Sequence, residues 1–205
     1  MSDRDDLSVP DAVEQHPLLR YANIAVALHW ITAAVVLAQV AIGFRFKALP
    51  PGADRIEAFT WHKTVGAAIL LLAVVRLAVR LVNPPPPFPP ELPRWERVAA
   101  VWTHRAFYFL LIVLPLTGLT AVSGRTDGAT TPLLGGLALP LFPGVSEGTG
   151  EISGEVHEIL VFTTIALLVL HVGAALKQQF FDRPGRMAGR MPPFRARTHE
   201  PTVSD

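Results

Sequence analysis

The chain of 205 residues contains no cysteine. That excludes disulfides, Fe–S clusters, zinc–thiolate sites and the covalent attachment of a c-type haem, which needs C-x-x-C-H. Any metal site must draw on His, carboxylate or Met. Charge is also scarce: 17% of residues are charged, against about 25% in an average soluble domain. A net charge of +1 leaves no surplus of either sign, and no nucleic-acid partner is expected. The first 20 residues have no apolar core of the kind a cleavable signal peptide carries. They are polar and acidic (Asp3, Asp5, Asp6, Asp11, Glu14), and read as a disordered cytoplasmic tail.

What the chain has instead is apolar length. Half of its residues are hydrophobic and its mean hydropathy is +0.37. About 20 largely apolar residues in a helix cross the hydrocarbon core of a bilayer, and four segments qualify. Ile24–Phe44 has no charged residue. Phe59–Val82 carries Arg76 and Arg80 towards its end. Val98–Val122 has His104 and Arg105 early and Pro115 further in, and Glu155–Leu176 keeps Glu155 and Glu158 near its start. The expected fold is therefore all-α, an integral membrane bundle of four transmembrane helices. It occupies residues 21–180, with a basic tail at 181–205.

Seven prolines in Pro84–Pro93 make a stiff, extended connection between spans two and three. Gly124–Gly154, rich in Gly and Pro, should pack as a cap on the bundle. Basic residues near span ends set orientation. Arg76, Arg80, Arg94, Arg97 and Arg105 cluster with Lys177, Arg183, Arg186, Arg190, Arg195 and Arg197, whereas the third connection offers Arg125 against Asp127, Glu147 and Glu151. Both termini are thus expected in the cytoplasm, although Arg45, Lys47, Arg55 and Lys63 on the outer side dissent mildly.

His16 and His199 lie in the polar tails. The other five histidines, His29, His62, His104, His157 and His171, lie within or at the ends of spans, where an ionisable group is a functional candidate. The topology puts His62 and His157 towards the outer face and His29, His104 and His171 towards the cytoplasm. Fourteen residues separate His157 from His171. At helical geometry that is about 21 Å along the axis and about 40° from the same face. One helix thus offers a ligand in each half of the membrane. The outer one has His62 as its partner; the inner one has His29 or His104. Paired imidazoles from facing helices suit the two axial positions of a b-type haem. Such iron has no open position, which favours one-electron transfer over oxygen activation.

The residues resemble the bacterial cytochrome b561 family of four-helix dihaem membrane proteins, from about Tyr21 to Met191. The matching pieces are Leu28-His29-Trp30, His62-Lys63-Thr64-Val65-Gly66, Arg76 and Arg80 with the Asn83-Pro84-Pro85 exit, His104, Pro115-Leu116-Thr117-Gly118, His157-Glu158, Leu170-His171 and Ala174-Ala175-Leu176-Lys177. Their order and spacing carry the resemblance together. It implies two non-covalent b-type haems, the cytoplasmic-side one on His29 and His171 and the outer one on His62 and His157. Propionate or quinone contacts would fall to Arg76, Arg80, His104, Lys63 and Gln178. Family members often carry a His-His pair where this chain has Gln178-Gln179, and amides do not titrate.

The resemblance also implies a bacterial inner-membrane, multi-pass protein that carries electrons between an outer-side donor and membrane ubiquinone. Superoxide is the favoured donor. Two other functions compete: the quinone-linked membrane subunit of a separate dehydrogenase or soluble cytochrome, and a non-redox scaffold or proton-coupled transporter.

Overall fold

The computed structural model describes residues 21–88, 92–178 and 180. The expected tails at 1–20 and 181–205, with His16 and His199, lie outside the described residues, as do 89–91 and Gln179. Four long helices carry the fold: α1 (Asn23–Ala48), α2 (Ala53–Val82), α3 (Arg94–Ser123) and α4 (Glu147–Lys177). All four are long and apolar enough to cross a membrane, so the four-span, helical reading holds. The β structure among the described residues is one small hairpin between α3 and α4. Its strands β1 (Thr130–Pro132) and β2 (Ala138–Pro140) pair antiparallel, with Thr131 opposite Leu139.

Every helix is longer than its apolar run, and local chemistry explains the extra turns. α4 starts about two turns before the expected Glu155, because the Ser146 hydroxyl accepts from the Thr149 amide at 3.2 Å and caps the helix. Glu155 and Glu158 consequently sit inside α4 and not in its first turn. Pro93 occupies the position before α3, where its missing N–H is not needed. At the end of α2, the Asn83 amide bonds back to the Val79 carbonyl at 2.8 Å, and Pro84 then stops the helix. A helix of about 30 residues spans roughly 45 Å against a hydrocarbon core of about 30 Å.

α1 packs on α2, α3 on α4, and the two pairs meet chiefly through α2 and α3. The dry core is narrow. Ile69, Ala73 and Leu111 are buried, with Val35, Val36, Val65 and Ile112 around them. Large apolar side chains such as Leu71 and Leu170 are 66% and 70% exposed, as lipid-facing residues of a spanning bundle should be. Where α3 ends and α4 begins, the backbones touch: a Cβ on Gly124 would lie 2.7 Å from the Gly150 Cα and from the Ser146 carbonyl oxygen. Only glycine permits that approach.

The connection after α3 packs on the bundle as expected. Lys63 donates to the Thr131 hydroxyl at 2.6 Å, and the Leu134 amide donates to the Thr64 hydroxyl at 3.0 Å. The turn between the strands is made by Gly135 and Gly136, at φ of 71° and 75°, a region in which glycine carries no Cβ penalty. This end of the molecule is the cap end. The opposite one, where α1 begins and α4 finishes, is the terminal end.

Candidate functional site

The five intramembrane histidines gather at two levels, one on each side of the Ile69–Ala73–Leu111 core. All are half-buried. At the cap end, His62 of α2 faces His157 of α4, with ring centroids 6.2 Å apart and planes at 80°. At the terminal end, His171 of α4 lies 6.4 Å from His29 of α1 and 5.7 Å from His104 of α3.

These separations bear on what the pairs could hold. Imidazole nitrogens bind a transition metal at about 2 Å. Two rings on opposite sides of one ion therefore place their centroids about 6 Å apart. His62 with His157 fits that span, and so do both terminal-end pairs. His29 and His104 remain alternatives for His171 on distance alone. Among the described residues there is no cluster of three or more His, Asp and Glu able to enclose a small metal ion.

The cap-end pair is held asymmetrically. His157 Nδ1 lies 2.9 Å from the Leu114 carbonyl and 3.2 Å from the Thr117 hydroxyl, which itself donates to that carbonyl at 2.9 Å. A carbonyl can only accept, so Nδ1 carries the proton and Nε2 keeps its lone pair, the tautomer an Nε2 ligand requires. Gly118 makes the approach possible, since a Cβ there would meet His157 Cε1 at 3.2 Å. This gives the Pro115-Leu116-Thr117-Gly118 motif a physical role. His62 rests against Gly43, where a Cβ would meet its Cε1 at 3.3 Å. Its hydrogen-bond neighbour is Gln39 of α1. Phe46 stacks on Phe59 and lies 6.4 Å from His62 at 27°.

Arginine dominates the terminal end. Arg76 Nη2 lies 3.0 Å from His29 Nδ1, and both Arg76 and Arg80 approach the Tyr108 ring, at 5.7 and 5.9 Å. His104 Nδ1 sits 2.7 Å from the Ala100 carbonyl of its own helix, which leaves its Nε2 unprotonated. Tyr21, Arg76, Arg80, Asn83, His104 and Tyr108 line an opening here.

Two expected contact residues are engaged with other partners. Lys63 turns to Thr131 and to the Phe59 ring, 5.0 Å from its centroid. Gln178 donates to Glu96 at 3.3 Å. The sequence reading overlooked Gln39, Gly43 and the Leu114 carbonyl. An amide in a span with no charged residue was the available signal for Gln39; a backbone carbonyl leaves no side-chain signal at all.

A four-helix membrane bundle with histidines paired at two depths is the architecture of a membrane cytochrome b. The model of the prokaryotic cytochrome b561 family matches residues 20–191, and the chain belongs to that family. Membership implies b-type haem binding. The chain is 28% identical over 175 residues to cytochrome b561 homolog 2 of Escherichia coli (strain K12), covering 83% of this chain and 92% of the relative. It is 24% identical over 177 residues to the probable superoxide oxidase CybB of Yersinia pestis, covering 84% of this chain and 96% of the relative.

Proposed function

We propose that the protein carries single electrons through two b-type haems, between a donor at the cap end and membrane ubiquinone. One observation carries the reading: two histidine pairs, with centroids 6.2 and 6.4 Å apart, lie at two depths joined by a single helix. The haems would supply reversible one-electron oxidation and reduction at iron. The chain's own part is to hold, orient and enclose. His62 and His157 hold the cap-end group, and His29 and His171 the terminal-end one. Arg76 and Arg80 offer guanidinium groups suited to carboxylates such as propionates, and the opening beside them suits a quinone head group. His104 lines that opening in a supporting role.

Both termini face the cytoplasm in this reading, so the cap end faces outward. Superoxide is the favoured donor, supported by the name of the Yersinia pestis relative, a probable superoxide oxidase, and by cap-end charge. Arg55 leans over Phe46 and Lys63 over Phe59, beside His62, where cations raise the local concentration of an anion. Lys47 contributes less because it is paired with Glu158. Two superoxide anions would each lose one electron to leave two O₂. A quinone would take both electrons and two protons to become a quinol.

The test has two stages. The purified protein should show a b-type α band on dithionite reduction and bind about two haems per chain; a colourless protein ends the redox reading. Stopped-flow mixing with superoxide should then reduce the haems, with reoxidation on adding ubiquinone. Haems that superoxide leaves oxidised, but a quinol reduces, point to a different donor.

A further inference from the structure

Gln39 stands in the middle of α1, and nothing in the proposed electron path accounts for it. Its Nε2 donates to the His62 backbone carbonyl at 3.0 Å. That carbonyl can only accept, so the orientation of the amide is fixed with its NH₂ towards His62. The same NH₂ lies 3.4 Å from His62 Nε2. That second contact is long, and a metal on Nε2 would take its place. Yet His62 Nδ1 is buried with no hydrogen-bond partner, and so is Gln39 Oε1. A leucine at 39 would fill the space without leaving a buried oxygen unpaired. Gly66, one turn beyond His62, leaves room for the amide, since a Cβ there would come within 3.4 Å of Gln39 Nε2.

We infer that Gln39 is a positioning residue for His62, its amide anchored on the His62 backbone carbonyl from another helix and so fixing where α2 presents the imidazole to a metal. The two rings of the cap-end pair are thus held in different ways. His157 is fixed from its Nδ1 side by the Leu114 carbonyl acceptor. His62 is held through its backbone carbonyl by the Gln39 side chain, a contact that a metal on Nε2 would leave in place. The inference rests on the proposed haem pairing. It adds that His62 depends on a residue of another helix.

The experiment compares wild type with Gln39→Met, which keeps length and loses the N–H groups, and with Gln39→Asn, which keeps the amide but is one methylene short. The full-length holoprotein is used, and the readouts are haem release to apomyoglobin and the redox midpoint of each haem. The cap-end haem is identified as the one missing from His157→Ala. In both variants it should leave about tenfold faster or more, the scale on which outer partners of metal-binding histidines act, and its midpoint should move. The terminal-end haem should keep its release rate and midpoint, which also reports that the bundle is folded. Wild-type release and midpoint at the cap-end haem in both variants overturn the inference, as do equal changes at both haems, which mark Gln39 as a packing residue. A wild-type protein without haem overturns the pairing itself, and is recognised before any variant is made.

Discussion

The two ends of the bundle solve one problem with different materials. At the cap end two histidines face each other, and each is oriented by a neutral partner: a backbone carbonyl for His157, an amide for His62. At the terminal end three histidines share the space with Arg76 and Arg80, and Arg76 touches a ring nitrogen directly. Neutral partners orient a ring without adding charge to a low-dielectric region. Guanidinium groups add charge and so suit anionic groups. In the proposed reading the cap end is organised around its ligands and the terminal end around what would bind beside them.

The largest effects should come from the ligands themselves. His62→Ala and His157→Ala should each lower the haem content from about two to about one, and spectra should show the same haem missing from both. His171→Ala and His29→Ala should remove the other. Two retained haems in His171→Ala would break the pairing. His104→Ala separates the terminal-end alternatives: it should keep both haems, whereas a single haem there would transfer the ligand role from His29 to His104.

Next in size is Gly124→Val, which forces apart backbones at the α3–α4 junction, because a Cβ at 124 has backbone atoms 2.7 Å away. Overpacking of this kind lowers stability by about 1–3 kcal/mol, readable as a fall in Tm with both haems still bound. Gly118→Ala should act more locally. Its new methyl would press on the His157 ring at 3.2 Å, so the cap-end haem spectrum should change while the terminal-end one stays fixed. Smallest is Lys47→Ala. The Lys47–Glu158 pair is exposed, and such pairs contribute about 0–1 kcal/mol, so a Tm within error of wild type is expected.

Much of this was legible in the residues. Apolar length identified the spans, and periodicity along α4 put His157 and His171 at two depths on nearly one face. Helix ends were less readable. The stretch Glu147–Gly154 is too polar to register as part of a span, and its helix follows from the Ser146 cap. Distance has not separated His29 from His104, since both lie near His171, and the family likeness alone favours His29. The supports of His157 were hidden for a different reason. Its acceptor is the Leu114 backbone, which any residue would supply, and only the missing side chain at Gly118 marks the spot.

The pairing of helices bears on how the protein is made. Emerging from the ribosome, the chain presents α1 and α2 as a first hairpin and α3 and α4 as a second. His29 and His62 belong to the first, His157 and His171 to the second. In the proposed pairing each hairpin would hold half of both centres and the whole of neither. A nascent chain stalled after two spans would then offer each haem one ligand alone, so firm haem binding would require all four spans.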